Sequence, residues 1–198
     1  MRRRTVILGA AGALGAAAGT LALGAWRSRG IVPADPDRPL PLDRMEWRLT
    51  DHDGREVAAA DWLGRPAMVF FGFTWCPDVC PTTLSDISLW LEELGSEADQ
   101  LVVALITVDP ARDTPAALAD YLSSFDPRIR GLTGSRAEIG QAAESFRVKY
   151  ERVPQEGSYT MNHTAGVFLF DDGGRFVSVI DFHEDRRYAL PKLRRILR

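Results

Sequence analysis

Two cysteines, Cys76 and Cys80, are the only ones in this 198-residue chain. They stand in the run Phe70-Phe71-Gly72-Phe73-Thr74-Trp75-Cys76-Pro77-Asp78-Val79-Cys80-Pro81. An apolar stretch ends at Gly72, and Pro81 suits the first turn of a helix, so a helix is expected to open at or just after Cys80. The amphipathic residues 83–94 continue it at helical spacing. Thiols at the carboxyl end of a strand and the positive end of a helix are biased towards thiolate. Three chemistries fit such a pair. A C-x-x-C pair before a helix is a redox motif, although this loop is one residue longer. Two converging thiolates select soft ions such as Cu(I) or zinc. A structural disulfide is the third reading. Two sulfurs underfill a metal site, and the histidines that could complete it are His52, His163 and His183.

Their settings differ. His52 sits in the turn Asp51-His52-Asp53-Gly54, where a solvated side chain is expected. His183 lies beside Glu184 and Asp185 and reads as a surface residue. His163 comes just before the apolar run Gly166-Val167-Phe168-Leu169-Phe170, where an active-site loop would approach the cysteines. It is the favoured third ligand. Met161 is either a soft auxiliary donor or a half-buried loop methionine.

The elements that would position these groups alternate between strands and helices. Residues 46–50 and 55–57 flank Asp-Gly and read as a β-hairpin. Residues 67–73 and 101–108 read as buried parallel strands joined through the cysteine helix. Asp109-Pro110-Ala111-Arg112-Asp113-Thr114-Pro115 follows the second strand, with Thr114 as N-cap. Strand carboxyl ends carry the site in open α/β sheets, so Arg112 and Asp113 either shape the cysteine loop or form a loop-internal ion pair. Ser135 and Glu138 make a capping box for a helix over 136–146. Residues 149–153 alternate like an edge strand, 154–165 read as a polar loop, and 166–170 as a buried strand. Asp171-Asp172-Gly173-Gly174 turns into a final strand over 175–182, and a closing helix covers 188–197.

Residues 1–26 carry a basic cap, Met1-Arg2-Arg3-Arg4, on an uncharged run long enough to cross a bilayer. They are expected to be a membrane anchor or a cleaved signal segment, with a twin-arginine-like start and Ala22-Leu23-Gly24 as a small-x-small site. The basic cap predicts a cytoplasmic N-terminus and an exported domain. The expected location is a bacterial-type cell membrane with the domain in the periplasm, or the periplasm itself after cleavage. No cysteine lies near the leader for a lipid anchor. Residues 27–44, with Pro33, Pro36, Pro39 and Pro41, read as a linker, and 45–198 as the globular domain. Residues 1–44 carry a net charge of +4, which leaves −7 on the domain. An acidic domain excludes nucleic-acid binding as its business.

The order of hairpin, β-α-β-α and β-β-α, with cysteines after the first central strand, resembles the thioredoxin superfamily. Within it, Phe-Phe-Gly-Phe-Thr-Trp-Cys-Pro-Asp-Val-Cys-Pro-Thr-Thr-Leu, Thr-Val-Asp-Pro-Ala-Arg-Asp-Thr-Pro with the later Gly-Leu-Thr-Gly, and Tyr-Thr-Met-Asn-His-Thr-Ala-Gly-Val-Phe-Leu-Phe-Asp-Asp-Gly-Gly are similar to the Sco/SenC copper chaperones. The resemblance implies an α/β fold: a thioredoxin-like central mixed β-sheet flanked by helices, with an N-terminal β-hairpin. It implies Cys76, Cys80 and His163 as ligands of Cu(I) or Cu(II), and delivery of copper to the dinuclear centre of cytochrome c oxidase subunit II. An upstream copper donor and a thiol reductant are implied partners. Thiol redox state would gate loading, because a disulfide removes both sulfur ligands. Two positions depart from the family: Trp75 stands where His is frequent, and Asn162 where Asp is common. The competing class is a membrane-tethered thiol–disulfide oxidoreductase or thiol peroxidase. Such reductases keep a proline before the strand facing the cysteines, whereas Asn162-His163-Thr164-Ala165-Gly166 has none.

Overall fold

The computed structural model describes residues 37–198. The leader expected over 1–26 and most of the linker lie outside the described residues. Among those described, no helix is long and apolar enough to cross a membrane.

The chain forms β1 (Arg48–Asp51) and β2 (Glu56–Ala58), the expected hairpin, closed by Gly54 at a φ of +83°. β3 (Ala67–Gly72) leads through the cysteine loop into α1 (Val79–Leu94), and β4 (Val102–Thr107) follows. β3 and β4 run parallel, as a strand–helix–strand unit requires. Every residue of β3 is buried, and five of six in β4, which explains their unbroken apolar runs. Next come α2 (Pro115–Leu122), β5 (Ile129–Thr133) and α3 (Arg136–Ser145). Thr114 caps α2 by accepting from Ala117 N, and Ser135 and Glu138 close a capping box on α3. β6 (Tyr150–Gln155), β7 (Ser158–His163), β8 (Gly166–Phe170), β9 (Phe176–Asp181) and α4 (Arg186–Ile196) complete the domain.

Seven strands make one mixed sheet in the order β2-β1-β5-β4-β3-β8-β9, and β6 and β7 form a separate two-stranded ribbon. β3 sits deep in the sheet between parallel β4 and antiparallel β8, so the loop at its carboxyl end is held from both sides. α1 buries Leu84, Ile87, Trp90, Leu91 and Leu94 on one face. Phe146 lies at the centre of an aromatic cluster with Trp47, Phe71, Phe168 and Phe170, at ring separations of 5.2–6.3 Å.

Two stretches differ from expectation. The packed domain begins before Met45: Leu40 N donates to Ser145 O, Leu42 N donates to Gly174 O, and Leu42 is fully buried in a short 3₁₀ turn over Leu42–Arg44. Prolines among charges suggested a spacer, but Leu40 and Leu42 have apolar surface that the core covers. The expected polar loop over 154–165 is mostly strand. β7 pairs with β6 from Tyr150↔His163 to Gln155↔Ser158, across a tight turn in which Gly157 adopts a φ of +73°.

Candidate metal centre

Cys76 lies within the loop after β3, and Cys80 lies in the first turn of α1. Both are free thiols; Cys76 is half-buried and Cys80 fully buried. The backbone N–H of Cys80 points at Cys76 Sγ, 3.4 Å away. Gly72 makes room for this packing: a Cβ there would lie 3.1 Å from Cys80 Sγ and 2.9 Å from the Phe70 ring. Residues between strand and helix are fixed by Asp113, which is fully buried. Its carboxyl accepts from Thr74 N (3.1 Å), Thr74 Oγ1 (2.6 Å) and Thr107 Oγ1 (2.6 Å). Burial pushes the Asp113 carboxyl above the ordinary carboxylate range, against the pull of those donors.

The electrostatics separate the two thiols. Cys80 supplies a side-chain hydrogen bond to Cys76 that, with the Cys80 and Asp78 backbone N–H groups and nearby His163, holds the Cys76 thiol down at about 5 against the cost of burial. The same bond and deep burial drive the Cys80 thiol upward. One proton thus serves the pair: Cys76 is the thiolate, and Cys80 keeps the hydrogen.

His163 ends β7, and its Nε2 lies 3.5 Å from Cys80 Sγ. Its Nδ1 lies 3.0 Å from Thr164 O, a geometry that suits an Nδ1–H donor and leaves the Nε2 lone pair facing the sulfur. Phe70 and Phe73 stand edge-on to the imidazole at 6.1 and 5.9 Å. Bonds of about 2.3 Å to sulfur and 2.0 Å to nitrogen, at a tetrahedral angle, span about 3.5 Å, so an ion fits between Cys80 and His163. Among the described residues, no three His, Cys, Asp or Glu side chains already gather round one point. An ion held by all three would draw them together by a side-chain adjustment.

Cys76 and His163 share a cleft of about 220 Å³ with Phe73, Pro77, Asp78 and Met161. A larger cleft of about 590 Å³ lies elsewhere, between α1 and the β9–α4 turn, but it has no thiol and its histidine, His183, is exposed. Donor chemistry, not size, picks out the smaller one. His52 is more than a solvated turn residue: its Nδ1 accepts from Gly131 N at 3.0 Å and ties the hairpin to β5. Asn162 turns away from His163 and donates to Glu151 Oε1. Thr164 O therefore takes the orienting role that a carboxylate at 162 would offer. Trp75 is 67% exposed, with Arg112 at 5.3 Å from its ring. Arg112 and Asp113 realise both readings of their loop, since Arg112 pairs with Asp109 while Asp113 anchors the cysteine segment. The weight of Tyr159, which bonds to both Asp109 and Arg112, had no signal in the sequence beyond its place four residues before His163.

Comparison with known proteins places the chain in a family. The SCO1/SenC family model matches residues 38–198. The chain belongs to the SCO1/SenC family. It is 35% identical to the bovine mitochondrial SCO2 homolog over 195 residues, covering 96% of this chain and 72% of that protein. It is 36% identical to mitochondrial SCO1 of Saccharomyces cerevisiae over 151 residues, 74% of this chain but only 51% of the yeast protein. The chain thus spans about half the length of that relative. Among solved structures, Bradyrhizobium japonicum ScoI with copper bound matches with a TM-score of 0.71 and 46% identity, over 76% of this chain and 96% of that one. Yeast Sco1 with copper bound matches with a TM-score of 0.71 and 35% identity, over 81% and 88%. The central mixed sheet with flanking helices is the Sco fold.

Proposed function

We propose that this SCO1/SenC chain is a copper metallochaperone that holds copper through Cys76, Cys80 and His163. In this reading it delivers the ion to the dinuclear centre of cytochrome c oxidase subunit II during assembly. The observation that carries the proposal is Cys80 Sγ and His163 Nε2 at 3.5 Å, with Cys76 Sγ 3.4 Å from the Cys80 backbone nitrogen. Thiolate and imidazole suit copper in either oxidation state, and softness favours Cu(I). Copper is cargo here, and a half-exposed Cys76 beside a shallow cleft gives an acceptor's ligand a place to begin exchange. The copper-bound ScoI and Sco1 structures, similar along most of this chain, support the reading.

Redox state controls loading in this scheme. The Cys76 thiolate and the Cys80 thiol together lose two electrons and one proton to a partner disulfide, which is reduced to a thiol and a thiolate, and the disulfide they form has no thiolate to offer copper. A thiol reductant reverses the change, and an upstream protein supplies the ion. The depressed Cys76 thiol also favours a second activity, thiol–disulfide exchange with a partner, in which Cys76 attacks and Cys80 resolves the mixed disulfide. Residues 1–26 would hold the domain at the outer face of a bacterial-type cell membrane, or direct it to the periplasm if cleaved.

Copper stoichiometry on the reduced chain tests the assignment. One copper per chain is expected, with Cys76→Ser and Cys80→Ser each abolishing tight binding and His163→Ala altering the Cu(II) spectrum and affinity. A His163→Ala protein with unchanged copper binding, alongside vigorous wild-type disulfide reduction, would overturn the chaperone reading in favour of a reductase.

A further inference from the structure

The β6–β7 ribbon that carries His163 has no ladder to the seven-stranded sheet. Among the described residues, two hydrogen bonds and one sulfur–imidazole contact join it to the body of the domain. Arg112 Nη1 donates to Tyr159 O at 3.1 Å, Tyr159 Oη donates to Asp109 Oδ1 at 2.9 Å, and Cys80 meets His163. Two of the three pass through the Arg112–Asp109 ion pair, whose members are largely buried.

Arg112 reaches the cysteine loop as well. Its guanidinium carbon lies 3.9 Å from the Tyr159 ring centre, 5.3 Å from that of Trp75 and 6.0 Å from that of Phe73. Phe73 in turn stands perpendicular to the His163 imidazole at 5.9 Å. Arg152, on β6, places a second cation 3.5 Å from the Tyr159 ring centre. Arg112 Nη2 is buried without a hydrogen-bond partner, so stacking and the other donors keep the group in place despite an unsatisfied N–H. A planar, multi-donor cation can bond a carbonyl, pair with a carboxylate and lie against rings at once, which an ammonium cannot. Neighbouring Asp113 fixes the cysteine side through Thr74. Adjacent residues of one loop thereby hold both halves of the centre.

We propose that Arg112 is the positioning residue that sets the height of the His163 ribbon over the Cys76–Cys80 loop, and so the sulfur–nitrogen span offered to the metal. The metal part of this statement rests on the copper reading; the ribbon part does not. Arg112→Lys, which keeps the charge beside Asp109 but not the plane, is compared with wild type in two measurements. In the reduced, metal-free chain, amide exchange over residues 150–163 is expected to speed up by roughly tenfold or more, with β3 and β4 unchanged. In the copper-loaded chain, the Cu(II) absorption and spin-resonance signature is expected to shift, and affinity to fall by roughly 10- to 100-fold. Tyr159→Leu, on the partly exposed ribbon, leaves the buried ion pair intact and carries the same expectations if Arg112→Lys does not fold. Wild-type exchange in the ribbon would overturn the proposal. So would faster exchange with an unaltered copper signature, because the ribbon's height would then not define the site. A wild-type chain that binds no copper would sink the copper reading, while the exchange measurement still decides what Arg112 holds.

Discussion

At the scale of single residues, the site is a matter of where one proton resides. Cys76 and Cys80 have the same side chain, yet the amides at the start of α1 and the Cys80 thiol all point towards Cys76, whereas Cys80 is enclosed beneath Gly72. Cys76 is therefore the more nucleophilic of the two and, in the proposed copper site, the first ligand to meet an incoming ion. With its pKa held at about 5, below the usual thiol value, it stays ionised above that pH and gains a proton only as pH falls through about 5. Alkylation of the reduced, metal-free chain should accordingly occur at Cys76 first. Its rate should be nearly flat from about pH 8 to 6 and then fall with a midpoint near 5, followed by mass spectrometry of each cysteine peptide. A midpoint near 8, or equal rates at both sites, would refute the shared-proton arrangement. The two cysteines and His163 were legible as chemistry because soft donors are rare in this chain. What Arg112 does was not, because its partners Asp109, Tyr159 and Trp75 come together only through tertiary structure.

At the scale of elements, the centre lies where β3, α1 and the β6–β7 ribbon converge. Most of these elements could be read from pattern. β3 and β4 are continuous apolar runs, α1 has a helical stripe, and the caps at Thr114 and Ser135 follow from simple hydrogen-bond chemistry. β7 could not, because Ser158–His163 is only half covered and has no clean apolar face, so its alternation carries little signal. The junction of β3 with α1 makes a sharp prediction. Gly72→Ala puts a methyl 2.9 Å from the Phe70 ring, 3.1 Å from Cys80 Sγ and 3.1 Å from Leu105, all in a packed core. Overpacking of this kind costs about 1–3 kcal/mol, and the yielding atoms include a proposed ligand. Denaturant titration should show that loss, and the Cu(II) spectrum should shift with it. A variant as stable as wild type with an unaltered spectrum would mean that Cys80 does not need the space glycine leaves.

At the scale of the whole molecule, the question is where the working unit begins. Prolines and charges over 27–44 argue for a spacer, and most of that argument concerns residues outside those described. Its last few residues behave otherwise. Leu42 is fully buried, bonded through its N–H to Gly174 O, and next to the turn that joins β8 to β9. Leu40 donates to Ser145 O at the end of α3, so the segment ties the strand pair and the helix together from outside. Composition averages over such a stretch and hides two leucines that matter individually. A chain starting at Asp37 should therefore fold and bind copper as the full chain does, consistent with a compact unit from Asp37 to Arg198. One starting at Met45 exposes the surface that Leu40 and Leu42 cover and leaves the Ser145 and Gly174 carbonyls without those donors. Leu42→Ala alone should cost roughly 2–5 kcal/mol, and removal of the segment at least as much. Thermal unfolding of the three chains measures the difference directly. Because the segment lies against the end of α3 and the β8–β9 turn rather than against the cysteines, copper stoichiometry in whatever fraction remains folded should stay at the full-chain value. Equal stability for the chains starting at Asp37 and Met45 would return residues 40–44 to the linker.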